Sequence, residues 1–238
     1  TTHGRGTAIG AYALYQVNHT QDDYNVAVGY RAGYNGVTIL KNTYVGSFSG
    51  YEHLAQESTF IGYYSGRYAS SGSYNTFVGN NAGEGNSSAP YSSGAQNTGV
   101  GYHALKSFTT GGPNVAVGAY ASDALTTGNL STAVGPYAAS NVTTAGGFVA
   151  LGYKAGAAQV DHGNFVAIGY EAMGGTATTN QGNGIAIGYR SMFAATDGSS
   201  GVALGNSALE NIAGQYSTGL GDSAGRYATG SYNTFVGN

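Results

Sequence analysis

The chain has 238 residues, a net charge of −3, no cysteine and only 8% charged residues, where about 25% is usual. Its eight Lys and Arg never cluster, so the basic surface that nucleic-acid binding requires is missing. The lack of cysteine removes disulfide and thiolate chemistry. Glycine, at 42 of 238, is far above the usual share of roughly 7%, yet the aliphatic residues and 21 tyrosines stand in register, which disordered low-complexity sequence does not sustain.

The first predicted strand is Thr7-Ala8-Ile9, closed by Gly10. The same phrase then returns along the chain, closed by Gly29, Gly46, Gly62, Gly79, Gly101, Gly118, Gly135, Gly152, Gly169, Gly188, Gly205, Gly221 and Gly237. Most spacings are 16 or 17 residues; the longest, 22, lies between Gly79 and Gly101. Such a period defines one quasi-one-dimensional array spanning 1–238, and arrays of this kind form extended objects rather than pockets. The array begins and ends in mid-repeat, so a fragment of a longer fibre is expected.

Each phrase reads the same way. Three residues before the glycine every occupant is Thr, Val or Ile, and the residue directly before it is always Val, Ile or Leu, as at Val78, Val117 and Val134. These two columns share one face of a strand, and β-branched residues favour strands. The pattern predicts that this face is the core. The residue between them points the other way and is Ala, Gly or an aromatic: Tyr44, Phe60, Phe77 and Phe235. Three residues after the glycine the occupant is always Ala or Ser, which predicts a close approach. The glycine itself, at Gly79, Gly118, Gly135, Gly152, Gly169 and Gly205 among others, suits a positive-φ turn or tight backbone contact. Polar turns follow, with a second short strand expected between them.

Seventeen residues so rich in turns leave no room for a helix of ordinary length. The predicted fold is therefore all-β: a parallel β-solenoid of about 14 rungs, each about 4.8 Å from the next. One such roll has a thin core, so several chains are expected to pack side by side along the Ala/Ser or Ala/Phe columns.

The phrase Thr/Val-Ala-Val-Gly-x-x-Ala, often preceded by Asn (Asn25, Asn75, Asn97, Asn114, Asn233), resembles the head repeats of trimeric autotransporter adhesins. It also resembles the related repeats of bacteriophage tail fibres and bacterial surface fibres, as in Asn97-Thr98-Gly99-Val100-Gly101-Tyr102-His103-Ala104-Leu105. The resemblance covers practically the whole chain. It implies left-handed β-rolls assembled as a homotrimer, located outside the cell on a virion tail or a bacterial surface, and used for attachment. The autotransporter period of roughly 14 residues is exceeded here, so turn geometry does not transfer.

Catalytic readings find little support. The histidines (His3, His19, His53, His103, His162) lack metal-ligand spacing, the acids are dispersed, and neither cofactor nor metal is expected. The chain is read as a non-enzyme. Two features suit receptor binding. Tyr153, Tyr170 and Tyr189 follow the glycine in three successive rungs and predict a ladder, flanked by Lys154, Glu171 and Arg190; it either stiffens the array or stacks on sugar rings. The 22-residue spacing inserts residues 84–93, with Glu84, Asn86 and Tyr91 as candidates, and insertions in repeat arrays leave as loops that often lie on a binding face. Smaller excesses fall around His19–Tyr24 and Thr176–Asn183. The function expected is an adhesive fibre segment presenting a receptor-binding surface to a cell-surface glycan or protein, without membrane insertion. The alternatives are a passive shaft with its binding tip elsewhere, an ice-binding solenoid needing an outward Thr array, and a glycan-cleaving tailspike needing converging carboxylates.

Overall fold

The computed structural model describes residues 5–17, 24–161, 163–175, 183–195 and 200–238; the loop excess around His19 and most of that after Thr176 lie outside them. The chain divides into two compact units, Thr1–Thr127 and Gly128–Asn238. Both are parallel β-solenoids with a period of about 17 residues, and no helix occurs among the described residues.

The first unit carries β1 (Thr7–Ile9), β2 (Val26–Val28), β3 (Thr43–Val45), β4 (Thr59–Ile61), β5 (Thr76–Val78), β6 (Thr98–Val100) and β7 (Asn114–Val117). The second carries β8 (Ser131–Val134), β9 (Val149–Leu151), β10 (Val166–Ile168), β11 (Ile185–Ile187), β12 (Val202–Leu204), β13 (Thr218–Leu220) and β14 (Thr234–Val236). Within each unit every strand pairs in parallel with the next in chain order. The register joins like columns: Val45 to Ile61 to Val78 in one unit, Leu151 to Ile168 to Ile187 in the other.

The repeat glycine serves both purposes that its position suggests. Gly152 has φ +129, and a Cβ there would sit 2.5 Å from the carbonyl oxygen of Gly169 in the next rung. Beyond the glycine, the second and fourth residues take positive φ in every complete rung, as at Lys154 (54°) and Gly156 (64°). Alternating hands reverse the chain in a few residues, and their amides bond the neighbouring rung: Gly156 N–H donates to Ala172 O (2.8 Å) and Lys154 N–H to Pro136 O (3.0 Å). Further along the rung, where the sequence predicts a second strand, only isolated bridges occur among the described residues, Ala69–Ser92 and Ala213–Thr229.

The core is opposite to the predicted one. The middle column points inward: Ala27, Tyr44, Phe60, Phe77, Ala116, Ala133, Ala150, Ala167, Ala186 and Ala203 have no exposed surface. The Ala/Ser column three past the glycine is also inside; Ser49 Oγ and Ser65 Oγ donate to the carbonyls of Phe60 and Phe77 in the following strands (2.9 Å each). The columns expected to mediate packing between chains are therefore the interior, and Val117 (36% exposed) and Val134 (39%) face out. Volume explains the inversion. Where the strand offers an aromatic, the fourth residue after a neighbouring glycine is itself glycine: a Cβ on Gly33 would lie 2.8 Å from the Tyr44 ring, and one on Gly83 2.4 Å from Phe77. Where the strand offers Ala or Gly, that fourth position can hold a large residue, as at Leu105, Met173, Met192 and Leu209, all fully buried; elsewhere it stays small, as at Ser122, Ala139 and Gly156. A cavity this narrow accepts one large side chain per level, at native packing density.

A buried polar ladder closes the other side of the first unit. Asn97 N–H donates to Asn75 Oδ1 (2.8 Å), Asn97 Nδ2 to Gly111 O (2.9 Å), and Asn114 Nδ2 to Asn97 Oδ1 (3.1 Å). The asparagines that recur in the motif thus satisfy turn carbonyls in the interior. In the second unit Phe148 and Phe165 take this place, stacked at 5.0 Å.

Candidate functional site

Three surfaces carry chemistry. The first is the strand face of each unit. Columns of Thr, Val, Ile and Leu stand outward in register there, including Ile61, Val115, Val117, Ile185, Ile187 and Leu204, each more than one-third exposed. In the first unit Thr43, Thr59, Thr76 and Thr98 form four successive levels beside Val45, Ile61, Val78 and Val100. Contiguous apolar surface of this kind marks interaction sites.

The second is the outer turn. In the second unit Tyr153, Tyr170 and Tyr189 form the predicted ladder, with centroids 5.1 and 5.3 Å apart and nearly parallel planes. Because the rings stack on one another, they turn edges and hydroxyls outward rather than free faces. Beside them Arg190 pairs with Glu171 (3.7 Å) and Glu210 (3.2 Å), and Glu210 with Arg226 (2.6 Å). Stacking at rung distance permits alternating charge and penalises like charge, and the order Glu171, Arg190, Glu210, Arg226 obeys that rule.

The aromatic display in the first unit is larger, and the sequence reading passed over it. Tyr15, Tyr34 and Tyr51 stack at 5.2 and 5.1 Å. Arg31 lies 5.1 to 5.8 Å from the ring centres of Tyr12, Tyr30, Tyr34 and Phe48. Arg67 lies 4.0 Å over Tyr64, 4.7 Å from Tyr68 and 5.3 Å from Phe48. Such guanidinium–ring contacts are worth about 0.5–1 kcal/mol each at exposed sites. The signal was available: three tyrosines share the fifth position past the glycine in successive rungs.

The third is the inserted loop. Glu84, Asn86 and Tyr91 do lie together on it, in the first unit. Glu84 Oε2 accepts from Asn81 Nδ2 (2.7 Å), Asn86 N–H donates to Ser92 Oγ (2.8 Å) and Asn86 Nδ2 to Pro90 O (3.3 Å), and Tyr91 stacks on Tyr68 at 5.7 Å. Ser92 Oγ in turn donates to Phe108 O (2.6 Å), tying the loop to the next rung. Beside it an open hollow of about 390 Å³ is lined by Gly85, Asn86, Ser87, Lys106, Ser107, Thr109 and Thr126. A second hollow of about 460 Å³, in the other unit, has Lys154, Glu171, Phe193 and Asn141 in its walls. The candidates thus form two groups, one in each unit.

Among the described residues no three His, Asp or Glu side chains gather as a metal site would require. Buried His53, pushed down to about 4 by burial, is a core residue, and burial together with Lys106 lowers half-exposed His103. No family model matches the chain, and no curated protein or solved structure matches it either.

Proposed function

We propose that the chain is a segment of an extracellular adhesive fibre, on a virion tail or a bacterial surface, in which three copies associate through their aliphatic strand faces. The observation that carries this reading is the outward orientation of the Val/Ile/Leu columns. One Val, Ile or Leu at every level, joined by a second aliphatic residue in six rungs and by Thr in eight, leaves a largely apolar face that water disfavours, at about 25 cal/mol per Å². Copies of the same chain present the same periodicity and match it rung for rung. The outer turns and the inserted loop stand away from that face and remain free to meet a surface glycan or protein, with three identical weak sites acting together through avidity. The proposed role is attachment rather than catalysis; a passive shaft with its binding tip elsewhere is the variant in which the outer turns bind nothing.

Sedimentation or light scattering tests the assembly. A particle of three times the 24.0 kDa chain supports the reading, and a monomer overturns it. Adhesion of the native particle to cells, before and after glycosidase treatment of the cells, separates attachment from a passive shaft.

One observation favours a second reading. The four outward, half-buried levels of Thr43, Thr59, Thr76 and Thr98 beside aliphatic residues resemble the Thr array an ice-binding solenoid needs. That reading requires the strand face to be bare. A monomer that shows thermal hysteresis, lost in Thr76→Tyr, supports it.

A further inference from the structure

We propose that the hollow beneath the inserted loop of the first unit binds a carboxylated sugar, with the Lys106 ammonium holding the carboxylate and Ser87, Ser107 and Thr109 meeting the ring hydroxyls. This rests on the attachment reading and gives it a ligand class and a location.

The argument starts from what the repeat does not need. Rungs elsewhere close with 16 to 19 residues, whereas the Gly79–Gly101 spacing is 22, so the solenoid itself has no use for the extra residues. They are nevertheless built. Asn86 holds the loop from within, its N–H donating to Ser92 Oγ, its Nδ2 to Pro90 O and its Oδ1 accepting from Ser88 N–H (3.2 Å). Ser92 and the Tyr91–Tyr68 stack anchor the loop to the body. A loop organised before binding loses less entropy when a ligand arrives.

The lining matches one chemistry. A volume of about 390 Å³ falls at the small end of ligand sites, suited to one or two sugar units. Ser87, Ser107, Thr109 and Thr126 line it with Asn86; the Thr109 hydroxyl donates to Thr126 O (3.1 Å) and can still accept, and a hydroxyl both donates and accepts, as neighbouring sugar hydroxyls do. No aromatic ring or large aliphatic side chain lines it, which disfavours an apolar ligand.

Charge selects the class further. Lys106 stands in the outer column between Glu84 and Asp123, yet it comes within ion-pair distance of no carboxylate among the described residues. Asp123 in that column is half-buried; burial raises its carboxyl above the ordinary range, while Lys106 lowers it, and Glu84 on the other side is engaged by Asn81 Nδ2. A single ammonium is one point charge, which balances one singly charged carboxylate rather than a cluster of phosphate or sulfate groups. The lining residues lie five to eight positions past their glycines, away from the aliphatic columns, so assembly through the strand face leaves them open.

Titration of the native particle with oligogalacturonate and sialyllactose, against neutral maltooligosaccharide and lactose, tests the proposal. The expected result is binding of an acidic member, absent for its neutral counterpart and weakened by salt. Lys106→Gln should weaken it at least tenfold with particle mass and melting temperature unchanged, while Lys41→Gln, which removes a surface pair with Glu57, should not weaken it. Equal response to acidic and neutral sugars, binding of neither acid, or full binding by Lys106→Gln overturns the site. If Lys106→Gln particles adhere to cells as well as wild type, the site fails and the attachment reading stands; if wild-type particles do not adhere, the attachment reading fails.

Discussion

The Tyr44 hydroxyl lies 2.7 Å from His53 Nδ1 inside the first unit, and both side chains are fully buried. His53 Nε2 faces Gly72 O at 3.3 Å. The tautomer follows: Nε2 carries the proton and donates to Gly72, and Nδ1 accepts from Tyr44. A second proton on the ring would have to reside on Nδ1, facing the Tyr44 oxygen in place of the hydroxyl's donated bond, and burial opposes the charge.

That pair makes stability depend on acid. Burial lowers His53 from 6.5 to about 4, so the unfolded chain binds the extra proton first. Its contribution is fully present above pH 6.5 and is lost as pH falls from there toward 4, by about 3 kcal/mol in all. Melting temperature followed from pH 7 to 4 should fall, and His53→Phe should flatten that fall. A wild-type melting curve independent of pH would contradict the assigned burial.

The inverted strand faces are open to a paired substitution. Ala116 has no exposed surface and Val117 is 36% exposed. Ala116→Asp should abolish folding by burying an unpartnered carboxylate. Val117→Asp should leave the circular dichroism of the fold intact and reduce particle mass to the single chain. The reverse outcome, with Val117→Asp unfolding the chain and Ala116→Asp harmless, would restore the facing expected from sequence.

Core volume is shared between Gly156 and Phe165, where an added Cβ would come within 2.5 Å of the ring. Gly156→Ala should cost about 1–3 kcal/mol through overpacking and a positive φ. Phe165→Leu should cost less in the Gly156→Ala background than in wild type. A double-mutant cycle on thermal or denaturant unfolding measures the coupling; strict additivity would show that the two do not compete for space.

Glu210, 2% exposed, sits between Arg190 and Arg226. Glu210→Gln should destabilise the second unit by about 2 kcal/mol, between the values for exposed and buried pairs because the arginines are about one-third exposed. Glu57→Gln, which breaks the exposed pair with Lys41, should change the melting temperature little.

Much of the fold is legible in the residues themselves. The glycine period defines the rungs, the β-branched column marks the strands, and Tyr153, Tyr170 and Tyr189 stack where their spacing places them. The insertion also announces its loop. The hollow beside it was not legible, because Lys106, Ser107, Thr109 and Thr126 belong to ordinary rungs and become a wall only when stacked against Asn86 and Ser87. The asparagine ladder is intermediate: Asn75, Asn97 and Asn114 are visible as a column, but their carbonyl partners lie on distant turns.

The sequence by itself determined the period, the parallel register and which residues share a strand face, because these follow from local geometry and the two-residue alternation of a strand. The tertiary structure decided which of the two faces is inside. Hydrophobicity chose the Val/Ile/Leu columns; the narrow interior instead admits Ala, Gly or a single aromatic at each level. That width is set by the distance between a strand and the turn segment folded back against it, as at Gly33 and Tyr44 or Gly83 and Phe77, a relation between rungs that no single repeat contains.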